Sequence, residues 1–130
     1  MATIKVACGI ILNSDGKVFV CRRKPEKSMG GYWEFPGGKV EDNESYEACL
    51  KRELIEELDM DVKVREHFMT VLHDYGTFKV ELISFLCEYQ QSSYQLVDHD
   101  EFEWISVNSL IDKMLAPADV PIATMLASKT

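Results

Sequence analysis

Apolar residues in this chain fall into short runs whose spacing changes from two to nearly four, with glycine, proline and asparagine between them. Ile4 to Leu12 is rich in β-branched residues and runs into Asn13-Ser14-Asp15-Gly16, which predicts a strand and a tight turn. From Lys17 to Arg22, Val18 and Val20 alternate with Phe19 and Cys21, as the return strand of a hairpin requires. Pro25 to Gly31 reads as a loop and Tyr32 to Phe35 as a short aromatic segment, which Pro36-Gly37-Gly38 breaks. The period lengthens to that of a helix from about Glu44 to Leu58, with Asp42 or Asn43 in position to cap it. Strands are predicted again at Val62 to Leu72 and Thr77 to Tyr89, separated by Asp74-Tyr75-Gly76, and at Phe102 to Val107. Gln90 to Tyr94 is polar and expected at the surface. Asn108 to Leu115 predicts a short helix and Val120 to Ser128 another, with Pro121 tolerated in its first turn. This order predicts an α/β fold, a mixed sheet sandwiched between helices, in one domain spanning residues 1–130.

With 46% hydrophobic residues the chain can bury an ordinary core without disulfides or a structural metal. Cys8, Cys21, Cys49 and Cys87 stand singly inside apolar segments and are expected as buried free thiols, as in a reducing compartment. No run approaches the roughly 20 apolar residues of a membrane span. The first residues carry Lys5 in an alternating pattern rather than a leader, so a cytoplasmic protein that meets no membrane is expected. The six methionines are dispersed and read as core filler. His67, His73 and His99 show no ligand spacing; His99 reads as a surface residue, with orientation of Asp98 the alternative.

The net charge of −8 argues against a nucleic-acid polymer as partner. That charge is concentrated, since Glu41 to Asp61 holds nine acids against two bases. A basic group, Arg22, Arg23, Lys24 and Lys27, lies upstream. Adjacent clusters of opposite sign could hold a metal and a phosphate, or be two solvated surfaces. Within the acidic segment, helical spacing makes Glu53, Glu56 and Glu57 neighbours on one face, beside a core-facing stripe of Leu50, Leu54 and Leu58. Three adjacent carboxylates repel one another unless something positive sits among them, and a hard divalent cation such as Mg²⁺ is the natural partner. Arg52 can pair with Glu56 or Glu44 and orient them. The Gly37-Gly38 turn before the helix lets backbone approach a ligand closely.

The segment from Gly38 to Met60 resembles the box of the Nudix family, G-x5-E-x7-R-E-U-x-E-E-x-G-U, where U is bulky and apolar. Gly38, Glu44, Arg52, Glu53, Leu54, Glu56, Glu57 and Met60 match it. Asp59 stands where the pattern has a glycine that ends the helix in a left-handed conformation; Asp visits that conformation at some cost in stability. Gly9-Ile10-Ile11, Arg22-Arg23, Trp33 to Lys39, and Trp104 have counterparts in MutT-like nucleoside triphosphate pyrophosphohydrolases, and Leu115 to Pro121 is similar to the CTP pyrophosphohydrolase branch.

The resemblance implies a Nudix fold and hydrolysis of a small-molecule nucleoside triphosphate to monophosphate and pyrophosphate. It implies Mg²⁺ as cofactor, with Mn²⁺ as a substitute, in a monomer or homodimer. The metal would be held by the backbone of Gly37 or Gly38, by Glu53, Glu56 and Glu57, and by an acid before the last strand. Asp98 aligns best by its distance from Trp104, with Asp100 and Glu101 near enough to compete. Glu53 is the first choice of general base, with Glu56 and Arg52 beside it in the catalytic group.

For the substrate the resemblance points to Arg23 at a phosphate, and to Glu34, Phe35, Lys39, Phe78 and Asp119 around the nucleotide. Phe35 would stack on the base, and Phe78 or Tyr75 line the far wall. Core packing is the alternative for the aromatics, and a helix N-cap for Asp119. An ionised Asp119 only accepts and suits the exocyclic amine of cytosine or adenine; a protonated one would also serve 8-oxo-dGTP. The expected substrate is a cytosine-type or modified (d)NTP, such as CTP or a 5-substituted dCTP, with the oxidised 8-oxo-dGTP as its close competitor. The alternatives are a Nudix hydrolase of another nucleoside diphosphate derivative such as ADP-ribose, and a non-catalytic nucleotide sensor.

Overall fold

Strands β1 (Thr3–Leu12) and β2 (Val18–Arg23) set the architecture, because both of their faces are apolar and both are covered. Ala7, Ile11, Phe19 and Cys21 face one core, and Cys8, Ile10, Val18 and Val20 the other. Sheets buried on two sides read as nearly continuous apolar runs, and that is the pattern here. The computed structural model describes residues 2–129. Its remaining elements are β3 (Trp33–Glu34), β4 (Gly37–Lys39), α1 (Tyr46–Leu58), β5 (Met60–Asp74), β6 (Lys79–Ser92), β7 (His99–Ile105) and α2 (Val120–Ser128). Short 3₁₀ turns occupy Val107–Asp112 and Pro117–Asp119.

The seven strands form one mixed sheet. β1 runs parallel to β6 over its whole length, and β5 is the antiparallel outer partner of β6. On its other edge β1 meets β2 at Leu12–Val18 and then pairs with β4, Ala7 opposite Gly38 and Cys8 opposite Gly37. β2 diverges to pair with β3 and β7. The sheet therefore forks past the first hairpin.

α1 covers one face with Cys49, Leu50, Leu54 and Leu58, all buried. Each of these leucines contributes about 1.5–3 kcal/mol of hydrophobic stabilisation. α2 covers the other face with Ile122, Ala123 and Leu126. The expected sandwich of a mixed sheet between helices is the observed one. The four cysteines are free and buried, as expected. Among the described residues no helix is long and apolar enough to cross a membrane.

Several local expectations are corrected. The cap of α1 is Ser45, whose Oγ accepts from Ala48 N at 3.1 Å, rather than Asp42 or Asn43. Asn43 instead takes a left-handed φ of 62° in the turn that closes Glu44 N onto Glu41 O, which delays the helix by two residues. The segment after Ile105 is a 3₁₀ turn over Val107–Asp112, shorter than the predicted helix. β6 extends through the exposed Gln90 and Gln91, but Tyr94 turns inward and stacks on Phe102 at 4.6 Å between ring centres. Met60 is core, whereas Met114 and Met125 are exposed, so the methionines are not uniformly filler.

Asp59 ends α1 at φ 51°, ψ 42°, its N–H turned back onto the carbonyls of Ile55 and Leu54. A side chain in this conformation is strained, and a negative charge at a helix C-terminus opposes the helix dipole. Asp59→Gly is expected to stabilise the protein by about 0.5–1 kcal/mol, read as a higher denaturant midpoint with an unchanged slope.

Candidate active site

Arg52 organises the acidic face of α1. Its Nε and Nη2 donate to the two oxygens of Glu44 at 2.7 and 3.0 Å. Its Nη1 donates to Glu53 Oε1 at 3.0 Å and Glu56 Oε2 at 3.1 Å, and Nη2 also reaches Lys39 O at 3.3 Å. The two pairings expected for Arg52 are both made. The bidentate hydrogen bond from Arg52, aided by Glu41 N–H, holds the Glu44 carboxyl down at about 2. One guanidinium thus supplies the positive charge that three neighbouring carboxylates need.

Glu53 is forced against the backbone of β4. A Cβ on Gly38 would lie 2.1 Å from Glu53 Cδ, so a side chain here would displace the Glu53 carboxylate. At Gly37 the obstacle is different, because a Cβ would lie 2.0 Å from Ala7 O, across the strand pair. Burial pushes the Glu53 carboxyl above its ordinary value, against the pull of Arg52. Burial does the same to Glu57, reinforced by Asp98 and Glu53, to about 7. Burial would also raise Asp98, but its contact with Glu57 and its ion pair with Lys27 at 3.0 Å outweigh that and hold it low.

Glu57 Oε2 is buried with no hydrogen-bond partner among the described residues. An orphaned carboxylate oxygen, a glycine that clears space for a second carboxylate and an all-oxygen donor set together fit a hard divalent cation. Glu53, Glu56, Glu57 and Asp98 could hold it. Of the competing acids, Asp100 and Glu101 are instead turned to Arg22, at 2.8 and 3.2 Å.

Beside this face a cavity of ≈ 430 Å³ opens between β1, β4 and β6. That is within the range of about 300–1,000 Å³ for small-molecule sites. Arg23, Glu34, Phe35, Gly37, Gly38, Lys39, Phe78 and Asp119 all line it, so the structure brings together the residues named for the substrate. Arg23 does not project freely; Nε donates to Ser28 O at 2.7 Å and Nη1 approaches Glu34 Oε2 at 3.5 Å. Phe78 stacks on Tyr75 at 5.3 Å, and Tyr75 Oη accepts from Ala118 N.

Asp119 reaches this cavity because the chain before it is strapped to β3. Trp33 N–H donates to Met114 O, and Ala116 N–H to Trp33 O. Asp119 is 5% exposed, and its Oδ2 accepts from Phe35 N at 2.9 Å instead of capping α2. Burial, with Glu34 nearby, raises its carboxyl well above the ordinary value.

His99 is also a correction. It is 2% exposed rather than a surface residue, and Nε2 bonds Glu34 Oε2 at 2.8 Å rather than Asp98. Cys21 Sγ, a Glu34 oxygen and a His99 nitrogen lie within 4.8 Å of one another. Burial pushes the Cys21 thiol far up, which keeps its proton, and the group is wired by hydrogen bonds. No sequence signal marked His99, because the predicted strand began at Phe102 whereas β7 starts at His99, opposite Arg23 on β2.

A carboxylate helix face behind a glycine-glycine strand, open to a nucleotide-sized cavity, defines an enzyme of diphosphate chemistry. The profile of the NUDIX domain family matches residues 7–125, and the chain belongs to that family as a Nudix hydrolase. It is 43% identical over 83 residues to the 8-oxo-dGTP diphosphatase of Proteus vulgaris, covering 64% of this chain and 74% of that one. It is 33% identical over 122 residues to the CTP pyrophosphohydrolase of Escherichia coli (strain K12), covering 94% and 90%. A solved MutT structure from methicillin-resistant Staphylococcus aureus 252, a Nudix hydrolase, superposes with a TM-score of 0.79 at 35% identity, covering 100% of both chains.

The two glycines separate stability from activity. Gly37→Ala is expected to destabilise by about 1–3 kcal/mol, since backbone must move. Gly38→Ala is expected to melt near the parent and to lose about 10²-fold in hydrolysis, since only Glu53 is displaced. Paired thermal melts and pyrophosphate-release assays test this; equal loss of stability in both would count against it.

Proposed function

We propose that this Nudix hydrolase is a Mg²⁺-dependent nucleoside triphosphate pyrophosphohydrolase, converting NTP and water to NMP and pyrophosphate. We assign 8-oxo-dGTP as the leading substrate. The observation that carries the reading is a single cavity running from the box strand Gly37–Lys39 to the buried Asp119. The triphosphate lies at the first end and the base at the second. Arg23 and Lys39 are the cations available to the phosphates. The four buried thiols accord with a cytoplasmic setting.

Glu53, Glu56, Glu57 and Asp98 hold the cation, and Mn²⁺ can replace Mg²⁺ because both accept carboxylate oxygen. When bound, the metal neutralises phosphoryl charge and acidifies water. Glu53 accepts the proton of the attacking water; its raised basicity, due to burial, brings it closer to the operating pH of a general base. Arg52 keeps Glu44, Glu53 and Glu56 in register and touches no reacting atom.

Asp119 decides the base. Burial and Glu34 favour its neutral form, which offers an O–H donor as well as an acceptor, as an ionised carboxylate cannot. The donor suits the guanine carbonyl, and this moves the balance from the amine-bearing bases toward oxidised guanine. The first of the relatives described above is an 8-oxo-dGTP diphosphatase. A cytosine-type triphosphate is the second reading. It is favoured by the near full-length match to a CTP pyrophosphohydrolase, and a neutral acid can also pair with the N3 and amine edge of cytosine.

Glu53→Gln and Glu56→Gln are each expected to lower Mg²⁺-dependent turnover by about 10²–10⁴-fold with the fold intact. Chelation is expected to abolish turnover in the parent. Retained activity in either variant would remove that residue from the site.

Asp119→Asn mimics the neutral acid. With a folded pKa raised above its unfolded value, Asp119 gives stability that is full below the ordinary carboxylate range and is lost as pH rises toward the folded pKa. The variant is therefore expected to gain in Tm over the parent as pH rises. It should keep 8-oxo-dGTP activity on the alkaline side, where the parent KM climbs. A pH series of melts and KM values in which both proteins behave alike would refute the neutral-acid assignment.

A further inference from the structure

His99 is a buried residue of β7 whose ring has one partner and one vacancy. Nε2 lies 2.8 Å from Glu34 Oε2, and Nδ1 is buried without a hydrogen bond among the described residues. A carboxylate only accepts, so the imidazole donates from Nε2. Leaving the other nitrogen unpaired in the interior carries an energetic penalty that an apolar side chain would avoid. The imidazole at this position is thus explained by what Nε2 does to Glu34. Arg23 Nη1 approaches the same oxygen at 3.5 Å, so two donors converge on Oε2 and neither uses Oε1. Behind the carboxylate, Cys21 Sγ contacts Glu34 O at 3.8 Å. The glutamate is held from several sides, and it lines the same cavity as Asp119.

We propose that His99 is a positioning residue for base recognition, fixing the Glu34 carboxylate so that its free oxygen accepts from the N–H edge of the bound base. The proposal rests on the nucleoside triphosphate reading above. Guanine offers its N1–H and N2 amine to such an acceptor while its carbonyl meets the Asp119 O–H; cytosine offers its N4 amine. A flexible, unheld Glu34 would have to be ordered on each binding event, and His99 provides that order in advance. The residue therefore acts on affinity for the base and not on the phosphoryl step, which belongs to the other side of the box.

The test is a set of variants read by nucleotide binding and by steady-state kinetics. His99→Phe fills the ring volume without a donor, and His99→Leu is a second donorless variant. His99→Gln restores an amide N–H near the Nε2 position. Binding of 8-oxo-dGMP and of CMP without metal is measured by calorimetry, and inhibition by tripolyphosphate reports the phosphate end alone. The donorless variants are expected to weaken the favoured monophosphate about tenfold or more. KM for the triphosphate should rise in parallel, kcat stay within about twofold and tripolyphosphate inhibition remain unchanged. His99→Gln is expected to recover most of the affinity. Adding His99→Phe to Glu34→Ala should change Kd no further, because the two act as one unit.

Equal effects on tripolyphosphate, full additivity with Glu34→Ala, or a glutamine variant as weak as phenylalanine would overturn the proposal. If neither donorless variant folds, His99 is a core residue and the positioning role falls. Parent protein that binds neither monophosphate overturns the substrate reading and this proposal together, whereas tight parental binding insensitive to His99 overturns this proposal alone.

Discussion

Everything at the candidate site depends on the clasp of Arg52 on Glu44, Glu53 and Glu56. Without it the acidic face of α1 would be a row of like charges at helical spacing, which weakens a helix. With it, the carboxylates are held at defined positions in the absence of any cation, so little ordering is left for binding to supply. The same guanidinium ties α1 to β4 through Lys39 O. The helix and the glycine strand are one unit, anchored below by Leu50, Leu54 and Leu58. Stability at the core face and strain at the polar face are thus carried by one element. This is a common division in enzymes, where groups that repel at the site are tolerated because packing elsewhere is firm.

The forked sheet determines where that unit points. β1 leaves β2 after a single pair and takes β4 as its neighbour, with no room for a side chain at Gly37. The space below the fork is then closed by aromatic residues of the β5–β6 turn and by the chain from Met114 to Asp119. In the proposed reading, phosphate chemistry and base recognition come from segments far apart in sequence, joined by backbone hydrogen bonds at Trp33. The division explains how one local motif can specify the reaction while other segments specify the substrate.

Legibility in the sequence followed the range of the interactions. The stripe of leucines, the glutamate face and the left-handed end at Asp59 are set by neighbours three or four residues away, and all were readable. The strands were readable for the same reason, though their ends were not. The Ser45 cap was missed because Asn43 turns left-handed and closes Glu44 onto Glu41, which starts the helix two residues later. The burial of His99 and the raised proton affinity of Asp119 were not readable at all. Both depend on Glu34 and Phe35, 65 and 84 residues away. A titratable side chain is ambiguous in sequence because its protonation belongs to its surroundings. In the proposed reading Asp119 gains a donor on that account, and the favoured base follows from it.

The buried thiols have a bearing on endurance. Burial drives Cys49 to about 11 and Cys87 to about 12, and Cys8 and Cys21 well above the ordinary thiol value. Peroxide attacks the thiolate, and at neutral pH these four sulfurs carry almost none of it. Oxidant that damages guanine in the nucleotide pool would find no ready nucleophile among the cysteines of this protein. The exposed sulfur is elsewhere, in the thioethers of Met114 and Met125, whose oxidation is reversible. The packing that makes the fold stable also keeps the catalyst chemically quiet under the conditions that generate its proposed substrate.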